Sequence, residues 1–130
     1  MIGAMSGTSL DGLDLALVEF NLIKGKWTYR YVSTTTTPYS DSWQKQLENA
    51  RFLEAEALAI LNRDYTTYLA EQIQLFIAQN PSYTIDLVCS HGHTVHHKPD
   101  QGITFQIGNQ RELSSHLKTT VVCDFRVQDV

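Results

Sequence analysis

Apolar and polar positions divide the chain into short strand-like runs at both ends and longer helical runs in the middle. Ile2–Met5 is short and apolar and leads into the small, polar Ser6-Gly7-Thr8-Ser9, then Asp11-Gly12. From Leu13 to Phe20 apolar residues occupy both alternation phases, which predicts a strand covered on both faces. Lys24-Gly25-Lys26 reads as a hairpin turn. Trp27, Tyr29 and Tyr31 alternate with Thr28 and Arg30, predicting a half-buried strand that continues into Thr34–Thr37. The opening is a three-strand meander whose first turn is rich in glycine and hydroxyls.

Helical spacing takes over next. Asp41 is the predicted cap, with Gln44 in the capping-box position. Trp43, Leu47, Ala50, Ala57, Leu58 and Leu61 recur at helical steps, with an irregular step across Arg51–Glu56 where a break would fall. Tyr65, Leu69, Ile73, Phe76 and Ile77 repeat at three- and four-residue steps until Asn80-Pro81 ends the helix. Ile85–Ser90 reads as a short buried strand and Ile103–Ile107 as another, entered through a turn at Pro99–Gly102. Gln110–Leu117 predicts a short helix and Thr119–Cys123 a last strand. The order β-β-β-α-α-β-β-α-β predicts an α/β domain with a mixed sheet. Inner strands need cover on both faces, and the sequence ends at Val130 soon after the last strand. A closing helix is therefore expected downstream.

Composition narrows the class. The chain has 130 residues, 42% hydrophobic and 18% charged, which fits one ordinary globular domain. Ten basic against fourteen acidic residues argue against general binding to nucleic-acid backbone. No apolar run is long enough to span a membrane, and no signal peptide is expected at the start. Cys89 and Cys123 lie far apart in strand-like runs, and reduced, buried thiols are expected in preference to a disulfide.

The first turn carries the candidate chemistry. Gly7-Thr8-Ser9-Leu10-Asp11-Gly12 joins two predicted strands, unlike the Walker loop, which leads into a helix and ends in Lys-Ser/Thr. Glycines let backbone N–H groups approach a phosphate, Thr8 and Ser9 add hydroxyl donors, and Asp11 suits magnesium held through water. From spacing alone, a tight hairpin whose Gly, Ser and Asp serve backbone geometry is the readier reading. His91, His93, His96 and His97 follow Cys89 closely enough for zinc to be weighed against a polar hairpin rim. In an extended strand His91 and His93 share one face, and His96 and His97 point oppositely. Asp124 and Arg126 follow a predicted strand at the end where open α/β sheets bind ligands. Spacing alone favours their pairing with each other.

Three blocks add a resemblance. Gly3-Ala4-Met5-Ser6-Gly7-Thr8-Ser9-Leu10-Asp11-Gly12-Leu13-Asp14 resembles the opening signature of the anhydro-N-acetylmuramic acid kinases. Ser90-His91-Gly92-His93-Thr94-Val95-His96-His97-Lys98-Pro99 and Val121-Val122-Cys123-Asp124-Phe125-Arg126-Val127-Gln128-Asp129 agree in order, with Thr104–Gly108 between them. The resemblance brackets nearly the whole chain. It implies the sugar kinase, actin and heat-shock chaperone superfamily, with two ribonuclease H-like domains facing each other across a cleft. Residues 1–130 would then be the first domain of a two-domain kinase, with Val95–Ile107 an inserted hairpin.

The resemblance also assigns roles. Gly7, Thr8, Ser9, Leu10, Asp11, Gly12, Leu13 and Asp14 become the first phosphate-binding hairpin for ATP and magnesium. His91, Thr94 and Arg126 become sugar-side residues, Arg126 because its fork suits a carboxylate or phosphate. His93 stands where the family pattern has Gln, and no metal belongs at these histidines. Val127 and Gln128 replace residues that are often basic. The implied reaction opens the 1,6-anhydro ring of anhydro-N-acetylmuramic acid with water, a carboxylate acting as general base, and phosphorylates the 6-oxygen from ATP. That carboxylate is expected downstream of Asp129, so no catalytic residue is named. The resemblance further implies peptidoglycan recycling in the bacterial cytoplasm, a small sugar as partner, no nucleic acid or membrane, and a chain that allows a homodimer. Two other readings stay open: a nucleotide-binding or chaperone-like relative without sugar kinase activity, and a small metal-binding module built on Cys89 and the histidines.

Overall fold

A computed structural model describes all of residues 1–130. Six strands, β1 (Ile2–Ser6), β2 (Gly12–Ile23), β3 (Lys26–Pro38), β4 (Leu87–Lys98), β5 (Ile103–Ile107) and β6 (Thr120–Val122), form one mixed sheet. Its order is β3-β2-β1-β4-β5, with β6 also pairing β4. The strands β1, β4 and β6 run parallel, whereas β1–β2, β2–β3 and β4–β5 are antiparallel. The helices are α1 (Asp41–Asn49), α2 (Ala55–Ala78) and α3 (Glu112–Leu117). The element order agrees with the sequence pattern throughout.

All three helices contribute to a single core against one face of the sheet. Ile2, Ala4, Leu13, Leu15, Leu17 and Val88 point inward and meet Leu61, Tyr65, Leu69, Ile73 and Phe76, the four-residue stripe of α2. The opposite phase of β1 and β2, Gly3, Met5, Asp14 and Ala16, lies on the other face, where Met5 and Asp14 are exposed. The expectation that Leu13–Phe20 is covered on both faces is thus corrected, and at its far end Phe20 is exposed. Leu13, Leu15 and Leu17 alternate in burial with Asp14 and Ala16, as on a sheet with one layer of helices.

Two local expectations also change. Trp27, Tyr29 and Tyr31 are exposed, not half-buried. The reason is length: β1 reaches only as far as Leu17 of β2, with Met1 bonded to Val18, so Glu19–Ile23 and Lys26–Tyr31 extend past it as a two-stranded ribbon. Phe20 and Tyr29 pack across the ribbon at 6.1 Å, and Tyr29 meets Tyr31 edge-on at 5.8 Å. The cap of α1 is Ser40 and not Asp41: the Ser40 hydroxyl accepts the Trp43 N–H at 3.3 Å. Gln44 instead reaches back and donates to the Leu10 carbonyl at 3.1 Å. The expected break is real, a single 3₁₀ turn over Ala50–Phe52, after which Leu58 and Leu61 belong to the same helix as Tyr65.

Candidate active-site wall

The parallel strands β1, β4 and β6 share one carboxyl end, where ligands bind in open α/β sheets. Three segments gather there: the β1–β2 hairpin, the middle of β4, and the turn that follows β6.

In the hairpin, the loop proper is Gly7–Asp11, closed by a Leu10 N–H bond to the Gly7 carbonyl at 3.3 Å, with Leu10 at φ 58°. Ser9 donates to the Asp11 carboxylate at 2.7 Å. That bond, and then the backbone N–H groups of Asp11 and Gly12, hold Asp11 below the ordinary carboxylate range. Asp11 is therefore an ionised carboxylate facing water, able to hold a hydrated cation, on the same short loop as the Thr8 hydroxyl, which can donate to a phosphate. Gly12, Leu13 and Asp14 already belong to β2: Leu13 is core, and Asp14 turns to the outer face, where Thr36 donates to it.

A bulge reorders the histidines of β4. Ala4 pairs with Ser90 but Ser6 pairs with His93, so β4 carries one residue more than β1 over this stretch. Gly92 makes it possible at φ 69°; a Cβ there would lie 2.5 Å from the Ile107 carbonyl oxygen. The extra residue inverts the alternation, and the expectation that His91 and His93 share a face is corrected. The ring of His93 turns into the core, 3% exposed, while His91 turns outward. His91 Nδ1 bonds the Gly92 carbonyl at 3.0 Å, and its ring lies 6.0 Å from Phe125. His97 faces Thr104 and Arg126. No three His, Cys, Asp or Glu side chains converge as a metal would require, so the metal-module reading loses its geometry.

His93 joins a buried chain of hydroxyls. Tyr65 and Tyr39 meet at 2.6 Å, Tyr39 donates to Ser6 at 2.8 Å, and Ser6 bonds His93 Nδ1 at 2.9 Å. Ser6 is the last residue before the hairpin, so this chain ties the loop's base to β4 and α2. Burial, with a smaller contribution from His91, lowers the His93 imidazole from 6.5 to about 4. Unfolded, it takes its proton near 6.5. Between those values the unfolded chain binds the extra proton, so stability falls as pH falls from 6.5 to about 4, by about 3 kcal/mol in all. Above 6.5 the effect vanishes. Urea midpoints at pH 7 and 4.5 for wild type and His93→Gln should diverge at the lower pH; parallel behaviour would contradict the buried neutral imidazole.

The candidate residues open onto two different hollows. Thr8, Leu10, His93 and Thr94, with Glu48 of α1 and Arg51 of the 3₁₀ turn after it, line a cavity of about 300 Å³ beside the hairpin. His91 and Asp14 line a shallower groove of about 700 Å³ on the outer face, with Met5, Thr36 and Phe125. Arg126 stands apart from both, bonded to Asp129 at 2.9 Å and to His97 Nε2 at 3.2 Å. Its partner is thus Asp129 and not Asp124, which turns the chain after β6 at φ 56°. Cys89 and Cys123 are free thiols, half-buried and not enclosed, and burial pushes both upward from the ordinary thiol range.

The chain is an α/β domain with a mixed sheet, and its glycine- and hydroxyl-rich hairpin stands at the strand ends where open α/β sheets bind ligands. The family model for anhydro-N-acetylmuramic acid kinase matches residues 1–130, and the chain belongs to that family. It is 36% identical to the anhydro-N-acetylmuramic acid kinase of Rhodopseudomonas palustris, over 99% of this chain and 37% of that one. The kinases of the same name from Zymomonas mobilis and Methylobacterium nodulans are 37% and 38% identical, over 99% of this chain and 38% and 39% of theirs. The chain spans a little over a third of the length of these relatives. No helix in it is long and apolar enough to cross a membrane.

Proposed function

We propose that these residues form the first ribonuclease H-like domain of an ATP-dependent anhydrosugar kinase. The enzyme would convert 1,6-anhydro-N-acetylmuramic acid, ATP and water to N-acetylmuramic acid 6-phosphate and ADP, in peptidoglycan recycling in the cytoplasm. The observation that carries the reading is the Gly7–Asp11 hairpin at the carboxyl end of β1, within a chain matched end to end by the kinase family. When bound, ATP supplies the phosphoryl group and magnesium offsets its charge. Thr8 and the loop N–H groups not already bonded within the hairpin receive phosphate oxygens, and the ionised Asp11 holds the hydrated cation. Ser9 keeps Asp11 ionised and turned. His91, Thr94 and Arg126 serve the sugar from the β4 and β6 sides of the same sheet end. The general base and the second wall come from parts of the enzyme outside these residues.

The test is product analysis with the complete enzyme, ATP, magnesium and the anhydrosugar. One ADP should appear for each N-acetylmuramic acid 6-phosphate; ADP without a phosphorylated sugar would sink the reading. A second expectation concerns Arg126. Its Nε and one terminal nitrogen each make a separate bond, to Asp129 and His97, which an ammonium on a straight stem cannot reproduce together. Arg126→Lys in the complete enzyme should raise the sugar's KM about tenfold or more, as for losing one charged hydrogen bond. Wild-type kinetics would remove Arg126 from the site.

A further inference from the structure

The cavity beside the hairpin holds a donor that the phosphate reading leaves unused. His93 is only 3% exposed, forms part of the cavity lining, and has Nδ1 occupied by Ser6. Its other ring nitrogen, Nε2, has no hydrogen-bond partner within the chain, yet it is not sealed off from solvent. Nε2 is therefore the ring nitrogen left free to bond a ligand in that cavity.

The hydroxyl chain sets which proton it carries. Each hydroxyl has one proton to give. Tyr39 gives its own to Ser6, so the Tyr65 proton goes to the Tyr39 oxygen. Ser6 is 2% exposed and has no partners but Tyr39 and His93, so its proton is satisfied only by donation to His93 Nδ1. The neutral imidazole that accepts at Nδ1 carries its hydrogen on Nε2. The run Tyr65→Tyr39→Ser6→His93 thus works as a tautomer lock.

We propose that the cavity of Thr8, Glu48, Arg51, His93 and Thr94 is a sugar subsite in which His93 Nε2–H donates to an oxygen acceptor of the bound sugar. The surroundings favour an acceptor: the guanidinium of Arg51 and the hydroxyls of Thr8 and Thr94 can all donate, and only Glu48 is an obligate acceptor. About 300 Å³ is the small end of the range for ligand pockets, enough for one substituent of a sugar and not for a nucleotide. His93 is then a specificity-determining residue, and Ser6, Tyr39 and Tyr65 are positioning residues that act through it. The inference rests on the proposed function for the identity of the ligand, and not for the tautomer.

Two measurements test it. ¹⁵N spectra of the histidine-labelled chain at neutral pH should show His93 protonated at Nε2 and bare at Nδ1, without any sugar; the reverse tautomer overturns the donor. In the complete enzyme, His93→Leu should raise the KM of the anhydrosugar about tenfold, the loss expected for one hydrogen bond, and leave the KM of ATP unchanged. His93→Gln, whose amide retains a donor, should restore most of it. A folded His93→Leu enzyme with wild-type sugar KM overturns the subsite and leaves the proposed function standing. Absence of 6-phosphate from the wild-type enzyme overturns the proposed function instead, and the tautomer then decides for or against the donor by itself.

Discussion

Asp11→Asn should lower kcat of the complete enzyme about a hundredfold and leave the sugar's KM within about twofold, as for removal of one charge-stabilising group from a phosphoryl-transfer site. The substitution preserves shape and keeps an oxygen that can accept the Ser9 hydroxyl at its present 2.7 Å. It removes the negative charge, which the Ser9 and backbone donors hold in place at ordinary pH, and turns the second oxygen into an NH2 donor. If the hairpin merely turned the chain, that charge would be dispensable, since Asp11 is exposed and makes no ion pair. Steady-state kinetics with saturating ATP and magnesium separate the two accounts. Unchanged turnover would leave the hairpin as backbone geometry alone.

The second large effect is on stability. Gly108→Ala should cost about 3 kcal/mol, adding the strain of a left-handed backbone to that of an overpacked core. Gly108 has φ 92°, and its N–H donates to the Asn62 side chain of α2 at 2.7 Å. A Cβ there would sit 2.6 Å from Leu69 Cδ1 and 2.7 Å from Tyr65 Cδ1. Leu69 and Tyr65 are 1% and 0% exposed, so neither has room to retreat. Gly102 is the control: it has φ 65°, but a Cβ there would meet nothing within 4 Å. Gly102→Ala should therefore cost only the backbone share, about 1 kcal/mol. Urea denaturation of the three proteins measures both; equal losses would show that α2 does not press on Gly108.

Much of this architecture is written in local pattern. The stripe of Tyr65, Leu69, Ile73 and Phe76 and the turn at Lys24-Gly25 read correctly because each is decided by neighbours in sequence. The exposure of Trp27, Tyr29 and Tyr31 did not, because it depends on how far β1 extends along β2, which no residue in β3 encodes. His93 shows the same limit at the site. Its facing depends on the Gly92 bulge, and strict alternation assigns it to the wrong side. One signal did exist: Ser6 continues the inward phase of Ile2 and Ala4, and a polar side chain on a buried phase needs a partner. Tyr65 in the core stripe of α2 carries the complementary demand. Arg51 and Glu48 could not be found from sequence, because the placing of the end of α1 and the turn after it beside the hairpin is a long-range contact that no local pattern marks.

On the proposed function, this chain supplies one wall of a kinase site: Thr8 and Asp11 for phosphate and cation, His91, Thr94 and Arg126 for sugar, and no general base. Phosphoryl transfer needs both walls to hold nucleophile and phosphate in line, and a displacement of about 1 Å can cost roughly a hundredfold. The most direct measurement is therefore a parallel incubation of residues 1–130 and of the complete enzyme with ATP, magnesium and 1,6-anhydro-N-acetylmuramic acid, read by the mass of the sugar product. N-acetylmuramic acid 6-phosphate is expected from the complete enzyme and none above background from residues 1–130. Turnover by residues 1–130 near that of the complete enzyme would contradict the one-wall reading, and would mean that a general base lies among the residues described.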